Sequence, residues 1–207
     1  MKAKKSIFIL GDSISIQYGP YLREYLAGRV DCFAKSGYEQ AVADLDIPAG
    51  ANGGDSGNVL AYLVHDYLKN GPICDYMLLN CGLHDIKTDP ASGARQQTAG
   101  KYKENLVKIF TALRDKGIKV IWVRTTPADA EVHNTPGKAF FRFGPDVPVY
   151  NCIADGIVAD FGLPVVDLWN FTRGFGRAAF CDHVHYHEEI RKLQAAHIAG
   201  AVLNIIR

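Results

Sequence analysis

Two short polar motifs near opposite ends of the chain carry residue types that can perform nucleophilic chemistry together. The first is Gly11-Asp12-Ser13, and the second contains Asp182 and His185. A spacing of three lets the carboxylate reach the imidazole and hold its tautomer, so that the imidazole can take a proton from a serine. Each motif alone is also typical of an ordinary helix N-terminus, where Asp and Ser are common caps.

Two further segments could assist such chemistry. Segment 52–58 (NGGDSGN) is rich in glycine, which lets backbone N–H groups approach a ligand closely. Segment 82–85 (GLHD) offers a polar side chain that could donate a hydrogen bond to an oxyanion. Taken singly, the first is also typical of a flexible turn, and the second of a loop with a capping aspartate.

A metal site is the main chemical alternative in the last segment. His183, His185 and His187 alternate beside Asp182. In an extended segment the imidazoles would be spaced along one face, and in a helix His183 would lie beside His187 and leave His185 aside. Neither geometry gathers three ligands around one ion, so we expect no metal site. Nothing in the sequence indicates another cofactor.

The rest of the sequence predicts the elements that must bring these segments together. Short apolar runs predict buried strands at 6–10, 30–34, 75–80, 118–124 and 164–168. Helical patterns cover 21–26, 58–68, 97–116, 149–161 and 188–206. We expect Asn70-Gly71-Pro72 to end the second of these helices, and 35–57 and 126–148 to be loops.

Strands that alternate with helices, without a repeat or a linker, indicate one domain over residues 1–207. Such βαβ units predict an α/β fold, a three-layer α/β/α sandwich with a five-stranded, mostly parallel sheet. Active sites of open parallel sheets lie at the carboxyl ends of the strands. The loops after strands one, two, three and five therefore share one rim, where the four polar segments can meet.

In this order, the four segments resemble the signature blocks of the GDSL, or SGNH, hydrolases. Gly11-Asp12-Ser13 matches the family's GDS block, and 52–57 matches its second block, N-x-x-x-S-G. Segment 82–85 matches G-x-N-D except at its third position, and Asp182 with His185 matches D-x-x-H. The resemblance spans almost the whole chain, and it implies a flavodoxin-like sheet.

The resemblance also implies roles in a serine esterase. Ser13 would attack an ester carbonyl, His185 would take its proton and later give it to the leaving alcohol, and Asp182 would orient His185. The backbone N–H groups of Ser13 and Gly57 would bind the tetrahedral oxyanion. Each such donor is typically worth about 10²–10³ in turnover.

One position departs from the family pattern. The family has an Asn in its third block, whose amide is the third oxyanion donor, and this chain has His84. We hypothesise that the imidazole N–H replaces the amide, which would make oxyanion stabilisation depend on tautomer or pH. The alternative is that His84 points away and the oxyanion hole has two donors.

The long loop 126–148 is the main indication of substrate. Its aromatic side chains, with Arg and His, could stack on a sugar ring and bond its hydroxyls, although phenylalanines packed under the loop are equally typical. Further rim candidates are Arg173, Phe175 and Arg177. The candidate substrate-binding residues are Asp12, Asn52, Phe141 and Arg142. Of these, Asp12 and Asn52 are expected mainly to brace the rim together with Asp85.

These observations favour an esterase that removes a short acyl group, such as acetyl, from a carbohydrate or a similar polar alcohol. A lipase or thioesterase for longer acyl chains is one alternative. A non-catalytic ligand-binding module on the same fold is another, because a fold alone does not decide function.

Composition limits the partners and the compartment. The 207 residues carry a formal net charge of +1, which favours neither nucleic acid nor an acidic membrane surface as a partner. No apolar run approaches the ~20 residues of a membrane span, and the run after Lys2-Ala3-Lys4-Lys5 is too short for a signal peptide. The five cysteines lack a CxxC pair and predict reduced, mostly buried thiols. We therefore expect a cytoplasmic protein, with a removed leader as the alternative. The sequence does not indicate the oligomeric state.

Overall fold

A parallel β-sheet forms the centre of the computed structural model, which describes residues 4–45, 48–70 and 74–206. The strands are β1 (Lys5–Leu10), β2 (Val30–Ala34), β3 (Tyr76–Leu79), β4 (Lys119–Val123) and β5 (Val165–Val166). They pair in parallel in the order β2-β1-β3-β4-β5. The predicted α/β fold with a five-stranded parallel sheet is confirmed.

Helices connect and cover the strands within the described residues. They are α1 (Ser13–Leu26), α2 (Tyr38–Ala43), α3 (Ser56–Tyr62), α4 (Leu68–Asn70), α5 (Ala99–Asp115), α6 (Ala130–His133), α7 (Asp146–Asp160), α8 (Leu168–Arg173) and α9 (Glu188–Ile205). A π-helical turn, Leu63–Tyr67, joins α3 to α4, and a 3₁₀ turn, Arg177–Ala179, lies between α8 and α9. No helix in these ranges is long and apolar enough to cross a membrane.

Both faces of the sheet are covered, and its central strands β1, β3 and β4 are accordingly nearly continuous apolar runs. Helix α1 packs against α9, whereas α5 packs against both α3 and α7. Right-handed crossovers place these two groups of helices on opposite faces. Leu22 of α1 and Phe110 of α5 are buried in the same hydrophobic core as Ile7 and Trp122 of the sheet.

The two predicted loops contain helical segments, so the expectation of continuous loops is wrong. Helix α2 lies within 35–57, where the Tyr38 hydroxyl donates to the carbonyl of Ile16 at 3.2 Å and Ala41 is buried. Tertiary contacts stabilise this short helix, whose length alone would leave it marginal. Helix α7 begins at Asp146 and has Pro148 in its first turn. Backbone N–H groups of the first turn have no partner within the helix, so proline, which has no N–H, is tolerated there.

The last strand is shorter than predicted, because α8 begins at Leu168. Asp167 accepts a hydrogen bond from the N–H of Asn170 at 3.1 Å and caps this helix. Helix α4 ends at Asn70, while Gly71-Pro72 and Lys2-Ala3 lie outside the described residues.

All five cysteine thiols are unpaired, but the expectation that most are buried is wrong. Cys74 and Cys81 are buried, Cys32 is half-buried, and Cys152 and Cys181 are exposed. The two exposed thiols lie on helix α7 and in the segment before α9, at positions that face away from the core.

Candidate active site

The turn between β1 and α1 presents Ser13 at the rim of the sheet. Asp12 is 1% exposed, and its Oδ1 accepts the N–H of Ile14 at 3.0 Å, so Asp12 caps α1 and braces the turn as expected. A Cβ at Gly11 would lie 2.9 Å from the Ser15 side chain, which explains the glycine. Ser13 is the first residue of α1, and its N–H has no acceptor among the described residues. This N–H is therefore open to an anion at a helix N-terminus.

Residues 172 positions apart in the sequence meet at this turn. The Oγ of Ser13 lies 2.8 Å from Nε2 of His185, and Nδ1 of His185 lies 2.6 Å from Oδ2 of Asp182. The other carboxylate oxygen of Asp182 accepts the N–H groups of Val184 and His185, both at 2.8 Å. The arrangement has the connectivity of a Ser-His-Asp triad.

The charge of Asp182 determines which atoms carry the protons in the hydrogen bonds between Ser13, His185 and Asp182. Burial raises its pKa, but hydrogen bonds from the His185 ring and from the N–H groups of Val184 and His185 outweigh burial. The pKa of Asp182 is therefore well below its ordinary value. An ionised carboxylate only accepts, so Nδ1 of His185 donates to Asp182 and leaves Nε2 to accept from the Ser13 hydroxyl.

The second segment does not leave the predicted oxyanion donor free. Asp55 caps α3, and its Oδ1 accepts the N–H of Gly57 at 2.8 Å and that of Asn58 at 3.1 Å. The Gly57 N–H would have to leave Asp55 to serve an oxyanion. Asn52 braces the same segment as expected, because its Oδ1 accepts the N–H of Gly54 at 2.8 Å. Gly54 has a φ of +72°, which favours glycine there.

The third segment places His84 at the rim as a neutral imidazole. Burial, reinforced by the cations of Lys87 and Arg142 and by His185, lowers the pKa of His84 to about 3. Its ring makes no hydrogen bond with the described residues, so one N–H is available. The part of the hypothesis that invoked an imidazolium donor is therefore not supported, whereas the dependence on tautomer remains.

A buried carboxylate holds the second and third segments together. Both oxygens of Asp85 lie within hydrogen-bond distance of the Ser56 N–H, at 2.9 and 3.1 Å. Burial, with a smaller contribution from the charge of Asp55, raises the pKa of Asp85 to about 7 against the effect of the Ser56 hydrogen bonds. Asp85 thus braces the rim through the backbone, as expected.

Loop 126–148 turns the side chain of Arg142, a predicted substrate-binding residue, into the interior. Arg142 is 5% exposed, and its guanidinium Nε donates to the carbonyl of Leu83 at 2.8 Å. Phe141 is half-buried, and its backbone pairs with Thr88. Phe143, at 41% exposed, is the more accessible aromatic ring of the loop. Asp12 is likewise too buried to contact a substrate directly.

Two histidines beside the triad were not predicted to act together. The rings of His133 and His183 stack with centroids 3.8 Å apart and 17° between their planes. Nε2 of His183 lies 2.7 Å from Nη1 of Arg142. The alternating histidines led us to weigh a metal site in the sequence and to expect none, and no motif links positions 50 apart. No three His, Cys, Asp or Glu side chains in the described ranges are grouped to hold a metal ion.

A cavity of about 440 Å³ lies beside Phe180, two residues before the triad segment, which is residues 182–185. Its walls come from the loop after β4 and from the region of α8 that follows β5, and the backbone N–H of Asp129 donates to the carbonyl of His183 at 2.7 Å. Arg177 in its wall pairs with Asp129 at 2.7 Å and with Glu131 at 2.9 Å. Arg173 lines the same cavity and has no ion pair within the described part of the chain.

Solved structures with the same fold are hydrolases by name. The chain superposes on a lipase/acylhydrolase from Enterococcus faecalis with a TM-score of 0.72 and 20% identity, covering 97% of this chain and 96% of that one. A GDSL-like lipase from Bacteroides thetaiotaomicron gives 0.70 and 15%, covering 99% and 91%. An acetyl xylan esterase gives 0.69 and 18%, covering 95% and 99%.

The chain therefore has the fold of the GDSL, or SGNH, hydrolases, as the resemblance of its four segments implied. No protein-family model and no curated protein matches the sequence.

Proposed function

We propose that this chain is a member of the GDSL, or SGNH, hydrolases and acts as a serine esterase. The observation that carries the proposal is the hydrogen-bonded chain from Ser13 through His185 to Asp182, with distances of 2.8 and 2.6 Å. Each partner is held for its role: Ser13 by a helix start, and Asp182 by two backbone N–H groups. Nucleophile, base and orienter in this geometry suit acyl transfer.

The proposed reaction passes through an acyl-enzyme. Ser13 Oγ attacks the ester carbonyl while His185 Nε2 takes the hydroxyl proton. The oxyanion accepts a hydrogen bond from the free backbone N–H of Ser13 and a second one from the neutral His84 ring. Collapse expels the alcohol, to which His185 returns the proton. Water activated by His185 then releases the acid and restores Ser13.

We propose removal of a short acyl group, such as acetyl, from a carbohydrate or a similar alcohol. The wall of the cavity near Phe180 carries four charged side chains, Arg173, Arg177, Asp129 and Glu131, among mostly apolar surface. Arg177 is paired with Asp129 and Glu131, which leaves Arg173 to bond a hydroxyl of such an alcohol. The neighbouring structure named an acetyl xylan esterase is consistent with this choice.

The test is hydrolysis of p-nitrophenyl esters from acetyl to dodecanoyl by wild type, Ser13→Ala and Ser92→Ala. Ser92 is an exposed loop serine and serves as the matched control. We expect a maximum at acetyl, loss of activity in Ser13→Ala, and wild-type rates in Ser92→Ala. Activity that survives in Ser13→Ala would refute Ser13 as nucleophile, and a maximum at long chains would favour a lipase or thioesterase instead.

A further inference from the structure

A buried guanidinium connects the loop after β3 to the segment that holds the triad. Arg142 is 5% exposed and donates from Nε to the Leu83 carbonyl at 2.8 Å and from Nη1 to His183 at 2.7 Å. Both backbone groups of Arg142 are bonded to the Asn134 side chain, at 2.8 and 2.7 Å. The Phe140 ring covers the guanidinium at 4.8 Å. Burying a cation is costly unless its donors are used, so this placement needs an explanation.

We propose that Arg142 is a positioning residue that keeps His183 neutral and in one tautomer, and thereby reserves Asp182 for His185. The inference rests on the proposed function for its kinetic consequence, whereas the state of His183 can be measured without any activity.

The tautomer of His183 follows from its partner. A guanidinium has donors only, so Nε2 of His183 must accept from Arg142 and the ring proton lies on Nδ1. That nitrogen lies 3.6 Å from Oδ1 of Asp182. His183 is therefore oriented with its N–H side toward the triad carboxylate.

The neutral state of His183 follows from the groups that surround it. Burial, the Arg142 cation and the His133 ring lower the pKa of His183 to about 4, with a smaller lowering by His185, while Asp182 opposes the shift. The ring of His133, from the loop after β4, stacks on one face of the His183 ring. With Arg142 in place, protonation would put two cations 2.7 Å apart.

Neutrality matters because of what a charged His183 would do to Asp182. Oδ1 of Asp182 already accepts two backbone N–H groups, and Oδ2 accepts from His185. An imidazolium at position 183 would be a charged donor on the same carboxylate, and charge-assisted hydrogen bonds are roughly twice as strong as neutral ones. It would compete with His185 and weaken the hold on the catalytic base.

The first measurement uses the wild-type protein and nitrogen NMR of its histidine rings. We expect His183 to remain unprotonated on Nε2 and protonated on Nδ1 from pH 5.5 to 8, about one to four units above its pKa. The opposite tautomer, or an imidazolium at pH 6, would overturn the inference. Neither outcome depends on whether the protein hydrolyses esters.

The second measurement uses Arg142→Gln, with Arg95→Gln as the matched control. Arg95 makes a two-pronged pair with Asp146, at 3.0 and 2.7 Å, and does not touch the triad segment. Removing the cation at 142 is expected to raise the His183 midpoint by about one pH unit or more, because a nearby like charge lowers it in wild type. In that variant kcat should fall about tenfold as the pH is lowered and His183 becomes protonated, while KM should stay within about twofold of the wild-type value.

Arg95→Gln is expected to lower stability without moving either the His183 midpoint or the pH profile of kcat. A folded Arg142→Gln whose His183 midpoint is unchanged would overturn the inference. If Arg142→Gln does not fold, Asn134→Ala loosens Arg142 and is expected to shift the midpoint in the same direction. A shifted midpoint in a protein without esterase activity would support the inference and refute the proposed function.

Discussion

Three histidines of the candidate site differ in what their ring nitrogens contact. His185 uses both nitrogens within the triad, and His183 accepts from Arg142. His84 makes no hydrogen bond within the described residues and faces two cations. Identical side chains thus acquire different roles from their hydrogen-bond partners. The free ring of His84 is the one that can still bind a ligand.

A prediction for His84 follows at this scale. Replacing it with alanine removes the proposed side-chain donor to the oxyanion, and kcat should fall by about 10²–10³. Since the pKa of His84 is about 3, its ring is neutral at higher pH, so the loss should be the same from pH 6 to 9. Steady-state rates with p-nitrophenyl acetate across that pH range would measure it.

His187→Ala is the matched control, because His187 is an exposed histidine at the start of α9. It should retain wild-type kcat. A His84→Ala variant within about threefold of wild type would leave the oxyanion hole without this side chain, since a donor's usual contribution is far larger.

At the scale of elements, carboxylates at helix starts arrange the rim. Three aspartates cap the helices that follow them: Asp12 caps α1, Asp55 caps α3 and Asp167 caps α8. Each side chain accepts hydrogen bonds from backbone N–H groups in the first turn of its helix. Asp85 instead reaches from the loop after β3 to the first N–H of α3. This single contact joins the second and third segments, so its charge state affects the geometry of both.

A pH-dependent prediction belongs to this contact. The folded protein holds a proton on Asp85 up to about pH 7, whereas an unfolded aspartate releases it near pH ~3.9. Between these pH values the folded state binds more protons than the unfolded state. The stabilising contribution of Asp85 is therefore present at low pH and is lost as pH rises. Asp85→Asn keeps an acceptor for Ser56 and cannot ionise. The difference in free energy of unfolding between Asp85→Asn and wild type should shift in favour of the variant by on the order of 2–4 kcal/mol from pH 4 to pH 8.

Denaturant unfolding of both proteins at several pH values would measure the difference. Asp89→Asn supplies a control of opposite sign, because hydrogen bonds from Ser92 and Ala91 lower the pKa of Asp89. Its wild-type contribution is present above the unfolded pKa and is lost as pH falls. A pH-independent difference for Asp85→Asn would contradict the proposed ionisation.

At the scale of the whole molecule, one hydrophobic core runs through both helix layers. Leu22 lies on α1 and Phe110 on α5, and both pack into the cluster that includes the strands. A sheet buried on both faces shares its strands between the two layers, so neither layer can lose its packing independently. This predicts a single cooperative unfolding transition.

Core truncations on the two faces test that expectation. Leu22→Ala should lower the free energy of unfolding by about 2–5 kcal/mol, and Phe110→Ala by about 3–5 kcal/mol. Leu193→Ala on α9 is the control, because Leu193 is exposed and its loss should stay within about 0.5 kcal/mol. Fluorescence and far-ultraviolet circular dichroism should report one midpoint for every variant. Separate midpoints for the two probes would mean that the layers unfold independently.

Much of this architecture is visible in the sequence because its causes are local. The strand at 30–34 is predicted at its observed bounds, and β1, β3 and β4 to within one residue at each end. The central strands β1, β3 and β4 are visible because strands buried on both faces are nearly unbroken apolar runs. The meeting of Ser13 with Asp182 and His185 also follows from sequence order, since parallel strands end at one rim. Helix α2 escaped prediction because its six residues depend on Tyr38 and Ala41 packing against the rest of the fold.

Tertiary structure decided how the groups at that rim are used. The sequence predicts Gly57 as an oxyanion donor and Arg142 as a substrate-binding residue. In the structure the N–H of Gly57 donates to Asp55, and the guanidinium of Arg142 donates to Leu83 and His183. The physical reason is that a hydrogen-bond partner is chosen by proximity in space. Residue type and spacing show which groups can donate or accept, and only the packing of loops from different strands shows which donors and acceptors meet.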